Sequence, residues 1–417
     1  MSENHGPAKV RIPAYAWAVV ALLWPVAMLN YLDRQMVSTI RASMRADIPS
    51  IANDQDFGTL IAVFMWVYAF LSPVGGFIAD KFNRRWTVIG SLFVWSAVTW
   101  ATGHAHTYAQ MLSCRALMGI SEAFYIPAAL ALIADFHTGG TRARAVGIHQ
   151  SGIYAGLTLG GIGGYIADHN SWRDCFTWFG AAGVVYAVVL MLALRDAPGQ
   201  SREAGSPAGR VSLRDTLRAL WSQPAFWILV VYFTLPAISG WAVKNWLPTF
   251  LADTYHLQQG PAGLSATGYI QIASFAGVLL GGVIADYWMR KTSRGRIYTS
   301  ALGVLLLVPA LLGLGFAWSL GMAVGFMILY GIGWGFFDCN NMPILCQIAR
   351  PEHRATGYGF MNLVSVAVGG GATVILGWMR DHRVNFSAAF AVSAGVALLS
   401  AVLILFLKPR AEILERY

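Results

Sequence analysis

Four charged residues lie inside stretches that are otherwise apolar enough to cross a membrane. Asp33 and Arg34 stand in "MLNYLDRQMV", and Arg115 and Glu122 stand in "CRALMGISE". Charges in the hydrocarbon core are costly, so they usually pair and mark pathways for ions or substrates. Desolvation favours a neutral carboxylic acid, whereas a nearby arginine favours the carboxylate. The group therefore predicts an internal site that takes up and releases protons, with a purely structural ion-pair network as the alternative.

The chain that must position these charges has the composition of a helical membrane protein. Of its 417 residues, 56% are hydrophobic and 12% are charged, whereas soluble domains carry about 25% charged residues. A membrane span needs about 20 apolar residues, and twelve segments meet that length. They are 14–40, 57–79, 85–103, 109–134, 144–167, 174–194, 225–252, 264–286, 297–317, 320–348, 355–379 and 386–407.

The longest polar interruption divides the predicted spans into six and six. Residues 195–224 contain "RDAPGQSREAGSPAGRVSLRD", which is typical of a flexible linker. The predicted organisation is an N-terminal tail (1–13), a six-helix bundle (14–194), this linker, a second six-helix bundle (225–407) and a C-terminal tail (408–417).

The distribution of basic residues predicts an orientation. Most of the 29 Lys and Arg residues fall in the two tails, the linker and one alternating set of loops. The opposite loops hold Arg41, Arg45, Arg173, Arg380 and Arg383. By the positive-inside rule, both termini are expected in the cytoplasm. The net charge of +9 is thus explained by topology, and no nucleic-acid partner is expected.

An internal repeat supports the division into halves. "GGFIADKFNRR" begins at Gly75 after span 2, and "GGVIADYWMRK" begins at Gly281 after span 8. Repeated halves are common in secondary transporters. With six spans on each side of a linker, the chain resembles the major facilitator superfamily over nearly its whole length. This resemblance implies an all-α membrane protein with twelve transmembrane helices in two pseudo-symmetric bundles.

The resemblance also assigns a role to the repeated loop. Its residues would form a charge latch between helix ends, although Asn83 stands where the family motif usually has glycine. Simple membrane anchoring is the alternative, but it does not explain the acidic residue. The expected latch residues are Asp80, Lys81, Arg84 and Arg85, with Asp286 and Arg290 in the second copy.

Two motifs resemble particular subfamilies. "NYLDR" in span 1 and "CRALMGISEAFYIP" in span 4 are similar to the anion:cation symporter family, which carries sugar acids and other organic anions. "YLDR" and "GISEAF" also occur in Spinster-type lipid carriers. The symporter resemblance implies that Asp33 and Glu122 are the protonation sites.

The two arginines have different expected roles. Neighbouring residues on a helix point about 100° apart, so one of Asp33 and Arg34 can face span 4 while the other faces a central cavity. Arg34 is expected to anchor an anionic substrate through its planar guanidinium. Arg115 is expected to hold Asp33 or Glu122 in its charged form. The spacing leaves open which arginine contacts the substrate.

The second half carries its own buried charges in equivalent helices, Lys244 in span 7 and Asp338 in span 10. They are expected to pair, to bind substrate, or to do both in turn; snorkelling of Lys244 to the membrane surface is the alternative. Pro343 is expected to interrupt span 10 and free backbone groups for a ligand.

Other polar side chains complete the predicted cavity. Tyr68 and Asn362 match substrate-contacting positions in the symporter family, whereas the span-5 glutamine of that family aligns here with Ile153. His149 is expected to be a hydrogen-bonded packing residue. The residues expected to contact substrate are Tyr31, Arg34, Tyr68, Gln150, Tyr154, Lys244, Asn245, Asp338, Asn341 and Asn362.

Three functions remain at this point. The leading interpretation is a proton-coupled symporter of a small organic anion, monomeric, in a bacterial inner membrane, with protons as the coupling ion and no other cofactor or metal. The second is a Spinster-like carrier of lysolipids or sphingolipids. A membrane enzyme or receptor is the third, but no metal cluster, nucleophile–base pair or phosphate loop supports it.

Overall fold

The computed structural model describes residues 14–81, 83–137, 141–196 and 213–409, with the side chains of 74–81, 213, 242 and 352 outside that description. The helices of the first half are α1 (Ala14–Met36), α2 (Arg41–Asp47), α3 (Asp54–Lys81), α4 (Arg84–Thr102), α5 (Tyr108–Glu122), α6 (Tyr125–Phe136), α7 (Arg142–Leu159), α8 (Ile162–His169) and α9 (Trp172–Ala193). A 3-10 turn, Val37–Thr39, extends α1.

The second half follows the same plan. Its helices are α10 (Leu213–Trp221), α11 (Pro224–Tyr255), α12 (Gln259–Met289), α13 (Gly295–Phe316), α14 (Leu320–Asp338), α15 (Asn341–Ile348), α16 (Pro351–Asp381) and α17 (Phe386–Ile404). We call α1–α9 the N-terminal bundle and α11–α17 the C-terminal bundle.

The helices coincide with the twelve predicted spans. Among the residues described, ten segments are long and apolar enough to cross a membrane. The other two predicted spans, formed by α4 and by α7 with α8, fall short because they contain more polar residues and glycines. Spans 4, 5 and 10 each consist of two consecutive helices rather than one.

The predicted flexible linker contains a helix, which corrects the expectation for its C-terminal part. In α10, apolar Leu220 is fully buried, and Thr216 contacts the imidazole Nδ1 of His353 at 3.2 Å. Leucines and a tryptophan recur at helical spacing in "LRDTLRALW" and supply one apolar face. This face packs against α16, so the end of the linker is ordered by tertiary contacts.

Spans 4 and 10 break at equivalent places. Glu122 is the last residue of α5, and Pro127 follows five residues later; Asp338 is the last residue of α14, and Pro343 follows five residues later. Proline lacks an N–H and its ring clashes with the carbonyl four residues before it. The predicted interruption at Pro343 is confirmed, and both acids end a half-helix.

Close packing holds α1 against α7. The Cα atoms of Gly152 and Gly156 lie so near the backbone of Trp24 and Met28 that a Cβ atom at either glycine would clash. Between the bundles, α3 lies along α16, and α12 lies along α7 and α8. The span-5 glycines are therefore sites of close helix approach.

The helix ends form two faces of the molecule. We call the face that carries Arg84, Arg85, Arg294 and Arg296 the latch face. The opposite face, which carries Asp54, Asp253 and Arg380, is called the lock face.

Candidate substrate and proton-coupling site

A buried ion pair lies at the centre of the N-terminal bundle. The guanidinium Nε of Arg34 donates to Oε2 of Glu122 at 2.6 Å. Glu122 is fully buried, and the side chain of Arg34 is 11% exposed. The proline-induced break places Glu122 at a helix end, facing α1. Span 1 and span 4 therefore meet through Arg34 and Glu122.

Aromatic rings surround the guanidinium of Arg34. Its Cζ atom lies 4.4 Å from the ring centroid of Tyr68, 4.6 Å from that of Tyr31 and 5.0 Å from that of Phe64. Cation–π contacts of this kind hold a desolvated guanidinium in place. The structure thus brings the predicted Tyr31 and Tyr68 together around Arg34. Phe64 was not predicted, although it precedes Tyr68 by one helical turn.

Asp33 points away from this ion pair and toward span 3. The hydroxyl of Thr99 donates to its Oδ2 atom at 3.3 Å, and the residue is 2% exposed. Its Oδ1 atom has no hydrogen-bond partner within the described part of the chain. Glu122, Arg34 and Arg115 act on Asp33 electrostatically from a greater distance. Thr99 was missed because a threonine in an apolar span usually signals only packing.

Arg115 reaches neither acid directly, and its expected role of keeping Asp33 or Glu122 charged stays a prediction. Its Nε atom donates to the carbonyl of Leu60 at 3.3 Å, and its guanidinium lies 4.6 Å from the ring centroid of Phe64. Among the described residues, no salt bridge joins Arg115 to Asp33 or Glu122. The side chain runs toward α3, where a backbone carbonyl and an aromatic face receive it.

The C-terminal bundle carries a lysine between two tryptophans. The ammonium of Lys244 lies 4.4 Å from the ring centroid of Trp334 and 5.6 Å from that of Trp241. Gly240 and Gly369 leave room for these indoles, because a Cβ atom at either glycine would clash with a tryptophan ring. Lys244 is therefore held inside the bundle and does not snorkel to the surface.

Asp338 is available to the space between the bundles. Its carboxylate accepts a hydrogen bond from the hydroxyl of Tyr154 at 3.3 Å. Lys244 interacts with Asp338 at longer range, without a direct ion pair among the described contacts. Although Asp338 ends a half-helix in the middle of a span, its side chain is exposed. The exposure indicates a cavity between the bundles.

Tyr358 lies near Asp338, and the positions of two further candidates are known from their exposure. Tyr358 of α16 is 37% exposed and close enough to Asp338 and Tyr31 to interact electrostatically. It was missed by sequence reasoning, although it precedes the predicted Asn362 by one helical turn. Gln150 is exposed, and Asn362 is half-buried. Tyr31 and Tyr154 of the N-terminal bundle therefore lie near Asp338 and Tyr358 of the C-terminal bundle.

Three other candidates are more deeply placed. Asn341 is 1% exposed, and neither amide atom has a partner among the described residues. Asn245 instead donates to Thr373 Oγ1 at 3.0 Å, which places it in the α11–α16 contact rather than in the cavity. His149 contacts the hydroxyl of Tyr125 at 2.9 Å, in agreement with its predicted packing role.

The latch residues are only partly described, since the side chains of Asp80 and Lys81 fall outside the description. Arg84 forms a salt bridge with Asp135 at the end of α6, and Arg85 donates to the carbonyl of Met191 at 2.6 Å. In the second copy, Asp286 pairs with Arg296 at 3.1 Å. Arg290, the other expected latch residue of this copy, is exposed. The pair thus joins α12 to α13 within one bundle.

A charge network joins the two bundles at the lock face. The carboxylate of Asp54 accepts from Arg41, from Arg45 at 2.7 Å and from Arg380 at 2.8 Å. Arg380 also bonds to Asp253 at 2.8 Å. Since Asp54 belongs to α3 and Arg380 to α16, this network closes the lock face. These outer-side arginines were counted only as exceptions to the positive-inside rule, and their pairing was not predicted.

The fold and these features have counterparts among known proteins. A family model described as the Major Facilitator Superfamily matches residues 23–374. Protein spinster of Drosophila melanogaster is 27% identical over 365 residues, which cover 85% of this chain and 60% of that protein. The hexuronate transporter of Bacillus subtilis is 24% identical over 410 residues, covering 94% of each chain.

A solved structure is similar over almost the whole length. It is a bacterial homolog to the human lysosomal transporter Spinster, in an inward-facing and unoccupied conformation. The TM-score is 0.74 with 19% sequence identity, and the match covers 95% of this chain and 96% of that one. Similarity at this level of identity establishes the fold.

Proposed function

The chain belongs to the Major Facilitator Superfamily, a family of membrane transporters, and on this premise we propose that it is a proton-coupled symporter of a small organic anion. The observation that carries the proposal is the buried pair of Arg34 and Glu122 beside a cavity with polar walls. A hexuronate or a similar carboxylate is the proposed substrate class, and the likeness to the hexuronate transporter supports it.

Competition for Arg34 explains how protons and anions are coupled. Removing one partner from a buried ion pair leaves an uncompensated charge, which is strongly unfavourable. Protonation of Glu122 would therefore leave Arg34 without its carboxylate, unless a substrate carboxylate takes that place. Each ligand thus favours binding of the other, as thermodynamic linkage requires. Asp33 is the second proposed proton site, because it is buried and only partly hydrogen-bonded.

The opposite wall of the cavity supplies a second cation. Lys244 is held by Trp334 and Trp241, close to a carboxylate that is already bonded to Tyr154. A substrate with a carboxylate and several hydroxyl groups can bridge Arg34, Lys244 and Asp338. Such a substrate would pull the two bundles together during transport.

We propose alternating access in which the charge network acts as one gate. The pairs around Asp54 close the lock face and must separate before the cavity opens there. We place the latch face and both termini in the cytoplasm of a bacterial cell, with the monomer in the inner membrane. Rocking of the bundles would then carry proton and anion inward together.

A Spinster-like carrier of lysolipids is the second candidate. The identity to Protein spinster, 27%, is slightly higher than that to the hexuronate transporter. Lys244, Asp338 and the tyrosines around Arg34 argue for a smaller and more polar substrate, because a lipid tail gains nothing from charged cavity walls.

Proteoliposomes with an imposed pH gradient test the proposal. We expect an inside-alkaline gradient to drive accumulation of a hexuronate or another small carboxylate, and a protonophore to abolish it. Lysophospholipids, screened by thermal shift in the same preparation, should not stabilise the protein. Stabilisation by lysophospholipids without gradient-driven carboxylate uptake would overturn the symporter proposal and favour the lipid carrier.

A further inference from the structure

A groove of about 590 Å³ runs along the surface of the N-terminal bundle, between α4 and α5. Its walls carry large apolar side chains that are exposed, among them Trp86, Val94, Leu117 and Ile120. The groove lies apart from the cavity between the bundles and faces away from the protein core. In a membrane-spanning bundle, such a surface meets the hydrocarbon of the bilayer.

Gly90 leaves the space that makes the groove. A Cβ atom built at this glycine has no neighbour within 4 Å, unlike Gly152 or Gly156, which pack against α1. The absence of a side chain at position 90 is therefore not required by helix packing. It instead leaves open space along the floor of the groove.

The dimensions of the groove match one leaflet of a bilayer. It extends along α4 from Asn83 to Val94, a rise of about 16 Å at 1.5 Å per residue. This length is about half of the roughly 30 Å hydrocarbon core. A linear apolar chain that enters at the membrane surface would reach its inner end near the middle of the bilayer.

Arg85 lies next to Trp86 at the mouth of the groove, where Asn83 also donates to the carboxylate of Asp196 at 2.7 Å. The guanidinium of Arg85 lies 4.9 Å from the ring centroid of Trp86, and one of its nitrogens donates to the carbonyl of Met191. Its Nε atom is buried without a hydrogen-bond partner among the described residues. Tryptophans favour the interface between lipid and water, and basic clusters attract anionic headgroups.

We propose that this groove binds one anionic phospholipid, with an acyl chain against Gly90 and the phosphate beside Arg85 and Trp86. Its inner end is lined by Ser121 and Phe124, which flank the helix break after Glu122. The hydroxyl of Ser91 donates to the carbonyl of Ser121 at 2.5 Å and joins the groove floor to this break. The bound lipid therefore packs against the helix break that positions Glu122.

Native mass spectrometry of the full-length protein tests the binding site directly. Protein extracted from bilayers of phosphatidylglycerol is compared with a Gly90→Leu variant, which fills the groove. Gly395→Leu is the matched control, since Gly395 is exposed on α17 and also has open space around its Cβ position. We expect wild type and the control to retain one phosphatidylglycerol more than Gly90→Leu.

Equal lipid retention in all three proteins would overturn the proposal. If Gly90→Leu does not fold, Val94→Trp fills the same groove from a position that is 47% exposed and gives the same comparison.

The headgroup assignment has its own test. Arg85→Gln should reduce the preference for phosphatidylglycerol over phosphatidylcholine by about tenfold, a loss of about 1.4 kcal/mol. An unchanged preference would refute the role of Arg85.

Discussion

The Nε atom of Arg34 and the Oε2 atom of Glu122 lie 2.6 Å apart, and Glu122 has no exposed surface. The pair joins span 1 to the break in span 4, beside a cavity whose far wall carries Lys244 and Asp338. Because Lys244 and Asp338 occupy the spans equivalent to those of Arg34 and Glu122, both bundles place a cation in the first of these spans and an acid at the break of the second. In this conformation only the pair in the N-terminal bundle is in direct contact.

Neutralising the buried acids should uncouple transport from protons. We expect Glu122→Gln and Asp33→Asn each to abolish accumulation driven by a pH gradient, while exchange of substrate across the membrane continues, because the binding groups remain. Uptake and counterflow in proteoliposomes measure the two activities. Asp215→Asn, at an exposed acid of α10, is the control and should behave as wild type. Full gradient-driven accumulation in both variants would contradict the assignment.

The ion pair should also be visible in stability. Arg34→Gln leaves Glu122 buried without its direct cationic partner, so we expect it to lower the free energy of unfolding by about 3–5 kcal/mol. The double variant with Glu122→Gln should recover much of that loss, because neither charge then remains uncompensated. Denaturant unfolding in detergent measures the cycle. Additive losses in the double variant would show that the two residues do not stabilise each other.

Lys244 should control substrate affinity more than turnover. Lys244→Gln removes the positive charge that we propose as one anchor for the carboxylate of the substrate. Since hydrogen bonds to charged groups are worth about 1.5–3 kcal/mol, we expect KM to rise about ten- to a hundredfold. Lys291→Gln is the control, because Lys291 is exposed and contacts only the ring of Tyr287 among the described aromatic residues. A change in kcat with unchanged KM would argue against substrate contact.

The network around Asp54 should hold the lock face closed. Asp54→Asn removes the acceptor that Arg380 shares with Arg41 and Arg45, so we expect the bundles to separate there more often. Spin labels at Ala46 and Thr254, which are exposed on the two bundles, would report a population at longer distance.

A matched variant separates this effect from a general loss of charge. Asp47 pairs with Arg173 inside the N-terminal bundle, at 2.8 Å. Asp47→Asn should therefore leave the label distances unchanged. In the wild type, high salt should also increase the population with a longer distance between the labels. The network around Asp54 is partly exposed, so salt screens its charges. Identical distances in Asp54→Asn and wild type would rule out a locking role.

The proline positions illustrate what linear patterns can and cannot reveal. Pro343 predicted a break in span 10 because a proline cannot continue a helix past its own ring. The same spacing holds between Glu122 and Pro127, yet only the observed helix ends show that both acids occupy the same place in their bundles. The helical segment 213–221 was missed because it directly follows a stretch rich in proline, glycine and serine, and its apolar face becomes evident only when it is packed against α16.

The sequence alone determined the helical membrane fold, the positions of its spans, the repeated loops and the identity of the buried charged residues. Those features follow from hydropathy and from the cost of charge in hydrocarbon, which depend on local composition. Only the tertiary structure decided that Arg34 rather than Arg115 holds Glu122, that Asp33 turns toward Thr99, and that Asp54 joins the bundles. Such pairings depend on the rotation and tilt of helices that are far apart in the chain. A shift of one position along a helix turns the side chain by about 100° and so changes which partner it meets.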